Sequence, residues 1–159
     1  MPPKKKPFDW TQFFLRIAID ASPKKVFQAW TDDNIVPRWF TVKAEMEPKK
    51  KGGIYWEWLG GDKLETKTID YVRNKKFVFP FGSKGEQVAI TIVPDGNGSI
   101  CELRQTKMKT DPKSRINMHM GCKQGWTFFL TNLKSYLEHG VDLRSHDPNR
   151  CYKRNYINS

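Results

Sequence analysis

Residues 115–139 read RINMHMGCKQGWTFFLTNLKSYLEH, with Gly140 next. The stretch holds no proline, and a glycine just past its end is a common helix stop. A helix of that span is about 37 Å long. At about 100° per residue, His119, Cys122, Trp126, Phe129, Leu130, Leu133 and Leu137 fall on one face. Lys123 and Lys134 flank that face, while Gln124, Thr131 and Ser135 lie opposite. A long helix with one apolar face has to bury it against another layer, so the rest of the chain must supply that layer.

Upstream the period changes to two. Phe13, Leu15, Ile17 and Ile19 alternate with Gln12, Phe14, Arg16 and Ala18, which predicts a strand over residues 11–20. Ser22-Pro23 then opens a helix, with a serine cap and proline at the first helical position. A second short helix is expected after Asp32 or Asp33, near Pro37. Six further strands are predicted over residues 41–47, 53–59, 64–72, 77–81, 86–93 and 99–108. Gly60-Gly61-Asp62 and Pro94-Asp95-Gly96-Asn97-Gly98 mark tight turns between them. The expected architecture is α+β: a curved antiparallel sheet of about seven strands, two short helices after the first strand, and the long helix on one sheet face. Residues 1–10 are expected to form a basic flexible arm, 11–144 a single domain and 145–159 a polar tail.

Alternation also groups the large side chains. Trp56 and Trp58 share a face, as do Phe77, Phe79 and Phe81, and as do Cys101, Leu103 and Gln105. A curved sheet and a straight helix leave a gap lined by such residues, the usual form of a small-molecule site.

Bulk properties remove several classes of answer. Aromatic residues make up 13% of the 159-residue chain, enough to build a core without staples. No apolar run reaches the roughly 20 residues that span a bilayer. Three cysteines, Cys101, Cys122 and Cys151, none in a CxxC pair, read as reduced thiols in a cytoplasmic protein without structural zinc. The net charge of +11 attracts anionic partners. No paired carboxylates, nucleophile elbow, phosphate loop or metal motif is present.

The run Ile19-Asp20-Ala21-Ser22-Pro23-Lys24-Lys25-Val26-Phe27-Gln28-Ala29-Trp30-Thr31-Asp32 resembles the opening of the activator of Hsp 90 ATPase homologue family. Pro37-Arg38-Trp39-Phe40, Gly52-Gly53-Ile54-Tyr55, Leu103-Arg104-Gln105 and the stretch from Gly125 to Glu138 follow in the order of that family. The resemblance covers about residues 12–144. It implies the helix-grip fold of the START-related superfamily, with an internal pocket for an apolar or lipid-like molecule.

The expected ligand-binding residues are Trp39, Trp56, Trp58, Phe79, Leu103, Gln105, His119, Cys122, Trp126 and Phe129, with no catalytic residue, metal or cofactor. Gln105 could orient a ligand's polar end or bond the backbone of a neighbouring loop. His119 and Cys122, three apart, would suit a thiol–imidazole pair, or simply line the pocket. Gly121 and Gly125 each cost the helix about 1 kcal/mol against alanine. Close packing of a strand or short helix would explain them, as would a helix start that opens, with packing the preferred account. The leading expectation is a non-catalytic carrier or sensor, monomeric or homodimeric. The second is an adaptor binding an acidic protein, a chaperone included, through Lys4, Lys5, Lys6, Lys24, Lys25 and Lys49 to Lys51. An enzyme acting on an apolar substrate is the third reading, and nucleic acid ranks last as a partner.

Overall fold

The computed structural model describes residues 1–157. Strand β1, Phe13–Ile19, leads into helix α1, Pro23–Thr31. Ser22 caps α1 as its sequence predicts, its hydroxyl accepting from the Lys25 N–H at 3.3 Å. The second short helix is a single 3₁₀ turn, Val36–Arg38, because Pro37 withholds one donor and Trp39 departs from helical geometry.

Seven strands follow: β2 (Lys43–Met46), β3 (Gly53–Glu57), β4 (Lys63–Lys67), β5 (Asp70–Val72), β6 (Lys76–Pro80), β7 (Gln87–Asp95) and β8 (Gly98–Thr106). All pairings are antiparallel. The strands form a five-stranded sheet in the order β1-β8-β7-β6-β5 and a three-stranded sheet β2-β3-β4.

The run 64–72, expected as one strand, is divided between these two sheets. Thr68 is the point of division. Its N–H donates to the Gly52 carbonyl and its carbonyl accepts from the Lys51 N–H, both at 2.9 Å, while the next N–H, of Ile69, already reaches the Val78 carbonyl of the other sheet. The eight strands exceed the expected seven through this change of partner.

The long helix spans residues 112–139, 28 residues in all. Asp111 caps it, accepting from the Ser114 N–H at 3.0 Å, and Pro112 occupies the first helical position. Gly140 ends it with φ of 68°, in the left-handed region that glycine enters without a steric penalty. Between the caps the hydrogen-bond register is not uniform. Arg115–Met120 winds as a π-helix before Gly121–His139 continues as α-helix. Trp126, Leu130 and Leu133 are buried on the predicted face, with Phe129 and Leu137 packed beside them.

Both chain ends fold onto this frame. Phe8 and Trp10 lie edge-on to His119, with ring centroids 5.6 and 5.1 Å away. Beyond the helix, Arg144 is almost wholly buried; its guanidinium donates to the carbonyls of Thr41 (2.8 Å) and Pro37 (2.9 Å) and pairs with Asp142. Asn132 holds the same carboxylate at 3.0 Å. Lys153 then donates to the Gly60 carbonyl at 2.8 Å, setting the tail against the β3–β4 hairpin.

Candidate functional site

The two sheets and the long helix converge on a layer of aromatic rings. Phe40, just past the 3₁₀ turn, is its hub. Its ring lies 5.2 Å from Trp56, 5.4 Å from Trp58, 5.5 Å from Trp126 and 4.8 Å from Phe129. Phe79 reaches Trp56 at 5.0 Å, and Phe81 reaches Trp126 at 4.8 Å. Trp39 joins through Phe40, stacked at 5.1 Å, and its indole N–H donates to the Ala29 carbonyl at 2.8 Å. Leu103 is fully buried in the same cluster.

Eight of the ten expected residues therefore share one core cluster or its margin. Gln105 is tied to it by a hydrogen bond from Trp126, and His119 stands apart in a box of Phe8, Trp10 and Phe13. The rings pack on one another between sheet and helix. Two surface grooves, of about 440 and 330 Å³, lie elsewhere, one beside α1 at Lys24, Tyr71 and Arg73, the other at Asp20, Asn97 and Glu138.

One polar chain crosses this apolar layer. The Trp126 indole N–H donates to Gln105 Oε1 at 3.0 Å, and Gln105 Nε2 donates to Glu86 Oε2 at 3.1 Å. Gln105 is fully buried and Glu86 is 2% exposed. Gln105 thus bonds side chains, not the loop backbone that the sequence left open. Glu86 Oε1 is buried and meets no donor among the described residues. A buried carboxylate oxygen without a donor is costly, since desolvation is not compensated. Gly82 makes room for it: with φ of 94°, a Cβ there would fall 2.2 Å from Glu86 Oε2.

Glu86, Phe40 and Phe81 were not among the expected site residues. The signal for Glu86 was available, because it extends the inward alternation of Val88, Ile90 and Ile92 by one step.

The remaining candidates resolve as follows. Burial pushes the Cys101 thiol up to about 12, against a smaller opposing effect of the Trp30 side chain. Burial also raises the Cys122 thiol, opposed by the Gln105 side chain beside it. Neither is an activated nucleophile. His119 Nδ1 lies 3.1 Å from the Trp10 carbonyl, to which it can only donate, and its buried Nε2 has no partner. No hydrogen bond joins His119 to Cys122, so the thiol–imidazole pair is absent. Among the described residues no group of three His, Cys, Asp or Glu could hold a metal ion.

The glycine pair is corrected as well. An added Cβ at Gly121 or Gly125 would meet nothing within 4 Å. Close packing does not account for them.

Comparisons place this geometry among known proteins. The family described as Activator of Hsp90 ATPase homolog 1-like protein matches residues 20–138. No curated protein matches the chain. Protein SSP2350 from Staphylococcus saprophyticus is similar at 21% identity and a TM-score of 0.72, over 84% of this chain and 96% of that one. The Aha1 dimer from Colwellia psychrerythraea is similar at 21% identity and a TM-score of 0.72, over 81% and 97%. DynU16, from the dynemicin biosynthetic locus, is similar at 17% identity and a TM-score of 0.71, over 86% of this chain and 50% of that one. At these identities the likeness is one of fold.

Proposed function

Because the chain belongs to the Activator of Hsp90 ATPase homolog 1-like family, we propose that it is a non-catalytic binder of a small, mainly apolar molecule that carries one N–H or O–H donor. The observation that carries this reading is Glu86 Oε1, buried at the end of the Trp126–Gln105–Glu86 chain without a donor. A donor delivered on an apolar body would satisfy that oxygen, while the rings of Phe81, Trp126 and Phe79 would enclose the rest. The rings of this layer touch one another, so binding displaces rings.

The route to the site is the start of the long helix. The π-helical turn and the two glycines make it the weakest part of that element. The family resemblance and the origin of DynU16 in a biosynthetic locus support a small-molecule reading.

The test is an amide-shift NMR titration with apolar compounds that carry, or lack, an amine or hydroxyl. Saturable shifts at Gly82, Gln105, Cys122 and Trp126 are expected for donor-bearing compounds. Glu86→Gln is expected to weaken them about tenfold, the loss of one charged hydrogen bond. Shifts confined to the groove at Lys24 and Arg73, or no saturable shifts, overturn the reading.

A further inference from the structure

We propose that the end of the molecule built from the N-terminal arm and the first turns of the long helix docks on an anionic lipid bilayer. This holds independently of what the interior binds.

Three apolar side chains stand out there. Ile116 is 64% exposed, Met120 57% and Phe8 60%. Ile116 and Met120 lie about one turn apart on the exposed side of the π-helical segment whose other side buries His119. Phe8 is fixed to the same segment through His119, and to Trp10, whose ring is 4.7 Å from its own. The loop before the helix is held to the same end: the Met108 N–H donates to the Thr11 carbonyl at 3.0 Å, and Arg115 Nε to the Thr110 carbonyl at 2.6 Å.

Charge is concentrated around these residues. Segments 4–10 and 107–123 hold eight lysines and arginines and two carboxylates, Asp9 and Asp111. Both carboxylates are occupied locally, Asp9 by Thr11 and Gln12 and Asp111 by Ser114. Among the described residues none of the eight cations forms an ion pair. These two segments thus carry more than half of the net charge of +11.

Protruding aliphatic residues rimmed by lysine and arginine are the pattern of an element that lies in a bilayer interface. The cations draw it to anionic headgroups, and the apolar side chains enter the acyl boundary. Nucleic acid would use the charge but not Ile116 and Met120. Of the two rings in the arm, Trp10 is already covered by Arg115, 5.2 Å from the ring centroid, which leaves Phe8 alone for stacking.

The test is co-sedimentation of the full chain with vesicles of phosphatidylcholine, alone or with about one third phosphatidylglycerol. Binding is expected to the mixed vesicles only, and to fall as salt is raised. The pair Ile116→Glu and Met120→Glu, at exposed positions, is expected to weaken binding by about tenfold or more. Lys109→Glu with Lys113→Glu is expected to weaken it similarly without touching the apolar residues. Equal binding to both vesicle types, no binding, or binding unchanged in both variant pairs overturns the proposal. So does binding of a single-stranded oligonucleotide by a chain that leaves the vesicles untouched.

Discussion

Glu86 is held in place by a geometry that is useful only if its charge is used. Its Oε2 accepts from Gln105, but its Oε1 is buried without a donor. Glu86→Gln keeps an oxygen for Gln105 and removes the buried charge. The variant is expected to be more stable by about 1–3 kcal/mol, read as a higher urea midpoint at unchanged slope. A lower midpoint would mean that the carboxylate already has a compensating partner, and the proposed ligand contact would lose its motive. The inward alternation of strand β7 pointed to this residue, as did its place two positions before Val88. What the sequence could not supply was the partner. Gln105 lies on β8, and the contact depends on the β7–β8 register, which pairs Val88 with Gln105. Position in an alternation names a face; only register names the neighbour on it.

At the scale of the element, the long helix was legible in its C-terminal glycine and its buried face, whereas its start, three residues before Arg115 and capped by Asp111, was not. Its π-helical turn was not, because a shift in hydrogen-bond register leaves the spacing of apolar residues almost unchanged over six residues. The glycines at 121 and 125 are the trace of it that the sequence does carry. Both have room for a methyl group, and neither needs a positive φ. Gly121→Ala with Gly125→Ala is therefore expected to stabilise the chain by about 1–2 kcal/mol. The pair is also expected to slow whatever requires the helix start to open. Cys122 lies between them and reports this directly. Its thiol is partly buried and raised by that burial, so labelling by a thiol reagent should follow opening. Labelling slowed severalfold in the double variant supports an opening helix start. An unchanged rate in a stabilised variant would separate the glycines from access to the site.

For the whole molecule, the question is what keeps two sheets and two chain ends together. Strand patterning revealed the strands but not their division into sheets, since alternation is the same whichever neighbour a strand finds. Thr68 makes the division, and nothing in its own side chain announces it. The polar composition after residue 144 likewise hid how the tail is held, because its anchors are a few scattered side chains rather than a periodic apolar face. Arg144 is the chief of these, and it joins the end of the long helix to the 3₁₀ turn and Thr41. Replacing it with alanine leaves two carbonyls without their donor and Asp142 without its guanidinium, at an expected cost of about 3 kcal/mol. The same contact has a pH signature. Burial would raise the Asp142 carboxyl, but the hydrogen bonds from Arg144 and Asn132 outweigh it and hold the group below its ordinary value. A lowered carboxylate stabilises the fold above the unfolded value of about 3.9. It loses that contribution as pH falls through the folded value, so the clamp should hold at neutral pH and release only in acid. Removing residues 147–159 tests the other anchor, leaving Arg144 in place while deleting Lys153 and its bond to Gly60. Hydrogen exchange is then expected to quicken in residues 53–67 with little change in global stability. Arg144→Ala, in contrast, should lower the melting temperature of the whole domain. If the truncation lowers it as much, the tail is part of the cooperative core; if neither change moves it, the aromatic layer alone holds the two sheets.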